Sequence, residues 1–165
     1  MQNIAAFTFK YDQLEDRLLL VGNLKSQESR IDFWLTRKLV LRLLNGVQEL
    51  VDKTAASIQQ VPKEHKSQLA QFHHDQAKSN LSIEREDQKL VPDAPQLLTR
   101  IDISYNHEQY QLTFFSTEPD PLAVSVLTYD ELHQILHLIH KGALSLEWGA
   151  SPNLFESEFS QSTLQ

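Results

Sequence analysis

Alternating hydrophobic and polar positions in the first quarter of the chain indicate β-strands separated by short polar turns. In the first segment Ala5, Phe7, Phe9 and Tyr11 share one face, and the third alternates in the same way. A long segment with hydrophobic residues at helical spacing follows, and Pro62 ends it. The pattern predicts strands at residues 4–11, 17–24 and 30–35 and a helix at about residues 37–60.

The same order of elements returns in the second half of the chain. Three predicted strands at residues 98–105, 109–116 and 122–127 precede a helix from Tyr129 to Lys141. Gly142 is a natural residue at the end of a helix, and residues 144–148 are compatible with one more strand. Thr36 and Thr128 occupy matching positions before the two helices. We interpret the order as a degenerate internal duplication, with coincidence of a common pattern as the alternative.

The two halves are joined by a polar segment that contains few large hydrophobic residues. Its first part, Lys63 to Lys78, is compatible with a mostly solvated helix. The predicted class is therefore α+β, with antiparallel sheets and helices in two β-β-β-α units that form one larger sheet or pack face to face. The predicted single domain covers residues 1–150, divided into units at 1–61 and 98–150 and a connector at 62–97, with a flexible tail at 151–165.

Charge is distributed unevenly along the 165 residues, whose net charge is −7. Residues 98–165 contain 2 basic and 9 acidic side chains, whereas residues 1–61 contain 8 and 7. This balance disfavours nonspecific binding of nucleic acid by the whole molecule, because such binding needs a basic surface. The chain has no cysteine, no signal-like N-terminus and no apolar run of about 20 residues. We expect a cytoplasmic, bacterial protein.

The catalytic motifs that a sequence can reveal are missing from this one. Its 4 glycines exclude glycine-rich phosphate loops, and no serine lies in a nucleophile-elbow pattern. The absence of cysteine removes thiolate nucleophiles and zinc ribbons. We therefore predict a protein that is not an enzyme and that needs no cofactor.

The start of the first predicted helix breaks a local rule. Acidic residues suit this end of a helix, yet Arg37 and Lys38 occupy the first turn and Arg42 follows. Free backbone N–H groups beside cations could bind an anion. In the alternative interpretation these side chains pair with acidic residues of the second half, such as Asp102 or Glu108, or with a partner protein.

Trp34 and Arg30 form a second candidate binding surface. Trp34 lies on the strand face opposite Ile31 and Phe33, beside Arg30. Tryptophan and arginine are common anchors of protein interfaces. The alternative is that Trp34 packs under the segment at residues 63–80.

Histidines form a third candidate on the second predicted helix. His133, His137 and His140 are spaced so that their imidazoles can converge, as a transition-metal site requires. A pH-sensitive surface is another alternative. The favoured interpretation is structural, because the histidines border the apolar stripe of the helix and no further ligand is placed by the sequence.

Part of the first unit resembles a known group of proteins. Residues 16–20, with the sequence DRLLL, and residues 33–37, with the sequence FWLTR, are similar to a signature of small uncharacterised bacterial proteins. The resemblance covers about residues 7–44, and it implies no activity.

Taken with the missing catalytic motifs, the segregated charge favours non-catalytic protein–protein interaction. The predicted protein is an adaptor or accessory protein of unknown pathway that binds a protein partner or associates with itself, including as a dimer. The alternative is a module that binds an anionic ligand or nucleic acid through Arg30, Trp34, Arg37, Lys38 and Arg42. No membrane partner is expected.

Overall fold

The computed structural model describes residues 1–81 and 94–155. These residues form eight strands and four helices. The strands are β1 (Gln2–Asn3), β2 (Phe7–Asp12), β3 (Arg17–Gly22), β4 (Ile31–Leu35), β5 (Gln96–Leu97), β6 (Arg100–Asn106), β7 (Gln109–Phe115) and β8 (Ala123–Leu127). The helices are α1 (Arg37–Thr54), α2 (Ala56–Gln59), α3 (Lys63–Ser79) and α4 (Tyr129–Ser145).

Two four-stranded sheets organise the fold, with strand orders β2-β3-β4-β5 and β6-β7-β8-β1. In each sheet three neighbouring strands are antiparallel, as predicted. Together with the helices, these sheets confirm the α+β class. The fourth strand of each sheet is short, parallel to its neighbour and contributed by the other half of the chain. Hence the sheets are mixed rather than purely antiparallel. The origin of the two halves by duplication stays a prediction.

The two long helices begin where the sequence predicts. The Thr36 side chain accepts a hydrogen bond from the Leu39 backbone N–H, and Thr128 forms a capping box with Glu131. Helix α1 ends six residues earlier than predicted, at Thr54, because Ala55 has an extended backbone that separates α1 from α2. Helix α4 continues past Gly142, which lies inside the helix rather than at its end.

Each long helix also contacts the edge strand of the opposite sheet. Helix α4 packs on β2, where the Tyr11 hydroxyl donates to the Leu138 carbonyl at 3.0 Å. Helix α1 lies beside β6. Phe33 and Phe114 stack with ring centroids 6.0 Å apart and join the two sheets in one core. The two units therefore form a single hydrophobic core.

Helix α3 confirms the helical part of the connector but corrects its environment. Its buried face consists of small and polar residues, and it packs mainly against α4. The predicted mostly solvated helix thus covers part of the core. These buried residues are Ser67, Ala70, His74 and Ala77.

The residues after α4 also differ from the prediction. The segment predicted as a last strand is the end of α4 and a turn, and the Trp148 indole N–H donates to Asp16 at 2.6 Å. Leu154 and Phe155 are buried, so the domain extends beyond residue 150 into the segment predicted as a flexible tail. The rest of that tail lies outside the described residues, as does part of the connector.

Candidate functional site

A groove of about 310 Å³ opens between α1 and β6. Its walls are mainly hydrophobic and include two arginines. Gly46 is an exposed lining residue, and a Cβ atom added there would meet no atom within 4 Å. The groove can therefore accept side chains from another molecule. Its lining residues are Leu39, Arg42, Leu43, Gly46, Val47 and Leu50 from α1, and Thr99, Arg100, Ile101 and Ile103 from the β6 side.

Strand β6 is an edge of its sheet, and only β7 pairs with it among the described strands. The two-residue turn His107–Glu108 makes Asn106 and Gln109 a hydrogen-bonded pair. Because such pairs alternate along an antiparallel ladder, the backbone N–H and C=O groups of Ile101, Ile103 and Tyr105 point away from β7. The open edge and the groove lie side by side, since Ile101 and Ile103 belong to both.

Cations lie on α1 and in the lining of the groove, to which Arg42 and Arg100 belong. Arg37, Lys38 and Arg42 are exposed on α1, and within residues 1–81 and 94–155 none of them has an ion-pair partner. Arg100 lies over the Phe115 ring at 3.9 Å and forms an exposed ion pair with Asp102 at 3.2 Å. The predicted pairing of the α1 cations with Asp102 is therefore replaced by a local pair within β6.

Arg30 and Trp34 lie apart from these cations. Arg30 binds Asp32 through two hydrogen bonds of 2.9 and 3.0 Å, in a half-buried position. Trp34 is half-buried, and the Arg17 guanidinium covers its ring at 3.7 Å from the ring centroid. Its neighbour across the sheet is Leu97 of β5. The structure thus divides the five predicted binding residues between α1 and the outer face of the sheet formed by β2–β5.

The three histidines of α4 have three different environments. His133 is fully buried, His137 is half-buried, and the His140 Nε2–H donates to the Ser151 carbonyl at 2.6 Å. Among the residues that the structure describes, no three histidine, aspartate or glutamate side chains lie close enough to hold a metal ion. The favoured interpretation as a border of the apolar stripe also needs correction, because His133 and His140 are buried.

A partner for His133 comes from α3. The Nδ1 atoms of His74 and His133 are 3.1 Å apart, and both side chains are buried. One ring must donate and the other must accept. Within residues 1–81 and 94–155, His133 Nε2 is buried and has no hydrogen-bond partner. A bare acceptor nitrogen in that position costs less than an orphaned N–H, so we assign the donor role to His133 Nδ1–H.

Burial shifts the protonation of this histidine pair. Desolvation, with a smaller contribution from neighbouring imidazoles, lowers the pKa of His74 to about 4 and that of His133 to about 3. The Tyr129 ring lies edge-on to His133, and its hydroxyl is 2.9 Å from His73 Nδ1. Burial also lowers the pKa of His73, against the opposing effect of Asp130. The cluster is therefore neutral at pH 7.

Two residues of these sites could have been suspected from the sequence. Gly46 interrupts an otherwise regular amphipathic helix. On α3 a series at spacings of three and four consists of small residues apart from His74, namely Ser67, Ala70, His74 and Ala77. Such a series is typical of close contact between helices. The local sequence does not show that Gly46 lies beside β6 or that His74 contacts α4, because the tertiary fold decides both.

Comparisons with known proteins assign no relative. Neither a family model, nor a curated protein, nor a solved structure matches the chain. In the part of the chain that the structure describes, no helix combines the length and the apolar character needed to cross a membrane.

Proposed function

We propose that this protein is a non-catalytic interaction module that binds an extended, acidic segment of a partner protein. The segment adds as a strand to the open edge of β6 and places alternate side chains in the groove against α1. The observation that carries the proposal is that, among the residues the structure describes, a strand edge without a partner adjoins a hydrophobic groove lined by Arg42, which has no ion-pair partner there.

Strand addition supplies affinity and specificity by different means. Hydrogen bonds from the backbone of Ile101, Ile103 and Tyr105 hold any extended chain, whatever its sequence. Side chains of the added strand alternate, so every second one points into the groove. Burial of one leucine-sized side chain there contributes about 1.5–3 kcal/mol. The groove therefore selects segments with hydrophobic residues at alternate positions.

Charge favours an acidic segment as the occupant. Arg42 lines the groove, and Arg37 and Lys38 are exposed one turn earlier on the same helix. A carboxylate of the partner can form a charge-assisted, bidentate hydrogen bond with Arg42. Because these cations are exposed, salt screens the attraction, and binding should weaken at high ionic strength.

Binding of nucleic acid is the weaker alternative. This alternative requires Trp34 and Arg30 to form a surface on which bases stack, beside the cations of α1. Arg17 covers the Trp34 ring and Asp32 binds Arg30. Three exposed cations on α1 still suit a small anion, which makes inorganic phosphate a necessary competitor in the test.

The partner is expected to be intracellular, since a chain without cysteine suits a reducing compartment. Self-association is a special case of the proposal. The acidic second half of one copy could supply the strand that another copy binds, which would make the protein a dimer.

A peptide selection tests the proposal directly. Wild-type protein is used to select from a random library of extended ten-residue peptides, and affinities of the selected peptides are measured by fluorescence anisotropy. Gly46→Leu adds a hydrophobic side chain at a lining position of the groove, where the space for its Cβ is open. Asn45→Leu is the matched control, since this exposed neighbour lines the opposite side of α1.

We expect selected peptides with alternating hydrophobic residues and at least one carboxylate. Gly46→Leu should weaken their binding at least tenfold, Arg42→Glu should weaken it in a salt-dependent manner, and Asn45→Leu should leave it unchanged. Equal affinity of wild type and Gly46→Leu would contradict the proposal. Competition by phosphate with no peptide selected would favour the anion alternative, and concentration-dependent sedimentation would identify self-association.

A further inference from the structure

We propose that His74 and His133 form a proton-sensitive latch between α3 and α4, closed when both imidazoles are neutral and opened by protonation. This regulatory device is independent of the groove and goes beyond the proposed function. It rests on a buried contact in which the two Nδ1 atoms are 3.1 Å apart.

The hydrogen bond itself is incompatible with full protonation. A neutral pair shares one Nδ1–H, but two imidazolium rings would present two donors to each other at this distance. Even one added proton is unfavourable on His133, because it places an N–H on the buried Nε2, which has no partner among the described residues. Protonation therefore favours separation of the two rings.

Helix α3 is the element that can separate from α4 when the latch opens. Its buried face carries Ser67, Ala70, His74 and Ala77, so it contributes little hydrophobic burial besides the His74 ring. The Phe155 ring packs against both imidazoles at centroid distances of 5.5 and 5.1 Å, and its backbone N–H donates to Gln71 of α3 at 2.9 Å. Opening of the latch would therefore release α3 together with the segment around Phe155.

The charged groups around the pair do not cancel the effect. On α3, Asp75 favours protonated His74 and Lys78 opposes it. On α4, His137 and His140 also disfavour protonation of His74, and the pKa of His137 is itself lowered by burial and by Lys78 and Lys141. His73 acts on His133 in the same direction. Asp130 acts on His73, and Phe155 adds no charge.

The sign of the pH dependence follows from these directions. An imidazole released into water regains a pKa of about 6.5, so between pH 6.5 and about 4 the open form binds more protons than the closed form. Acid therefore favours opening, and the pH dependence from the pair fades as the pH rises above 6.5. From pH 7 to pH 5 the opening constant should rise about 20-fold for each of the two histidines.

The wild-type protein provides the first test. Nitrogen-15 NMR of the imidazoles should show His74 and His133 neutral at pH 5.5, with complementary tautomers, and the exposed His65 and His107 supply reference signals. Hydrogen exchange of the α3 amides, corrected for intrinsic rates, should accelerate from pH 7 to pH 5 at least tenfold more than exchange in β7. Two protonated imidazoles at pH 6.5 would overturn the latch.

Substitution provides the second test. His133→Gln keeps a side-chain N–H that can donate to His74 Nδ1 but removes one titrating group, and His65→Gln on the exposed face of α3 is the control. The measured quantity is the acceleration of hydrogen exchange of the α3 amides from pH 7 to pH 5. We expect this acceleration to be about 20-fold smaller in His133→Gln than in the wild type, and unchanged in His65→Gln. Equal acceleration in wild type and a folded His133→Gln would overturn the proposal. The peptide affinity of the groove is measured separately, so either proposal can fail alone.

Discussion

Both halves of the molecule place a helix against the edge strand of the opposite sheet, but only one of the two contacts is closed. Between α4 and β2, Gly142 lets the strand approach so closely that an added Cβ would be 2.6 Å from Leu18 and 2.7 Å from Tyr11. Between α1 and β6, Gly46 has open space above it and a groove of about 310 Å³ remains.

The difference lies in a few side chains rather than in the arrangement of elements. Strand β2 presents Phe7, Phe9 and Tyr11 to the core, whereas β6 presents the smaller Ile101 and Ile103 toward α1. The Tyr105 ring packs on the Tyr110 ring at a centroid distance of 4.9 Å, and Tyr105 is not among the residues that line the groove. Comparable contacts are therefore closed core in one half and leave an open groove in the other.

Gly142→Ala should have the largest effect, because the closed contact has no room for a methyl group. The fully buried Leu18 and the Tyr11 ring would have to move, and overpacking of this kind costs about 1–3 kcal/mol. The free energy of unfolding measured by urea denaturation should fall, although the higher helix propensity of alanine offsets about 0.5–1 kcal/mol of that cost. A stability equal to or above wild type would show that the contact is not tightly packed.

Tyr11→Phe should have the next largest effect on the closed contact. The substitution removes the hydroxyl that donates to the Leu138 carbonyl at 3.0 Å, a bond that contributes about 1 kcal/mol. Tyr105→Phe is the matched control in the open half, and it should cost less because Tyr105 contacts Tyr110 through its ring. If both substitutions lowered the free energy of unfolding by the same amount, the hydroxyl of Tyr11 would contribute no more than that of Tyr105, which would contradict the prediction.

Gly46→Ala should change stability in the opposite direction. Alanine has a higher helix propensity than glycine by about 0.5–1 kcal/mol, and the site has space for its methyl group. The midpoint of urea denaturation should therefore rise. Destabilisation by this substitution would mean that the groove is closed in solution.

The sequence predicted those elements whose hydrophobic period is long and regular. The six main strands and the two long helices follow from the hydrophobic pattern, and Thr36 and Thr128 precede the two helices as predicted. The two-residue strands β1 and β5 escaped prediction, because two residues have no measurable period and their pairing comes from the other half of the chain.

The sites were predicted less well, because contacts between distant segments decide them. Gly142 was interpreted as a helix end and Gly46 was not singled out, since local sequence does not reveal what lies opposite a glycine. His133 was placed in a stripe on α4, but its partner His74 is on α3, in a segment interpreted as a connector. The exposed cations of α1 remain candidates, whereas Arg30 and Trp34 are occupied by neighbouring side chains.

Ile103→Phe should have the smallest effect on stability and is the sharpest test of the comparison. It gives β6 an aromatic side chain comparable to Phe9 of β2, at a half-buried position beside open space. The free energy of unfolding should change by no more than about 0.5 kcal/mol, as is usual for substitutions outside the packed core. Binding of the selected peptides should nevertheless weaken at least tenfold, because the added ring fills the groove. If affinity is retained, the groove is not where the partner binds, and the open edge of β6 or the cations of α1 would have to account for recognition without it.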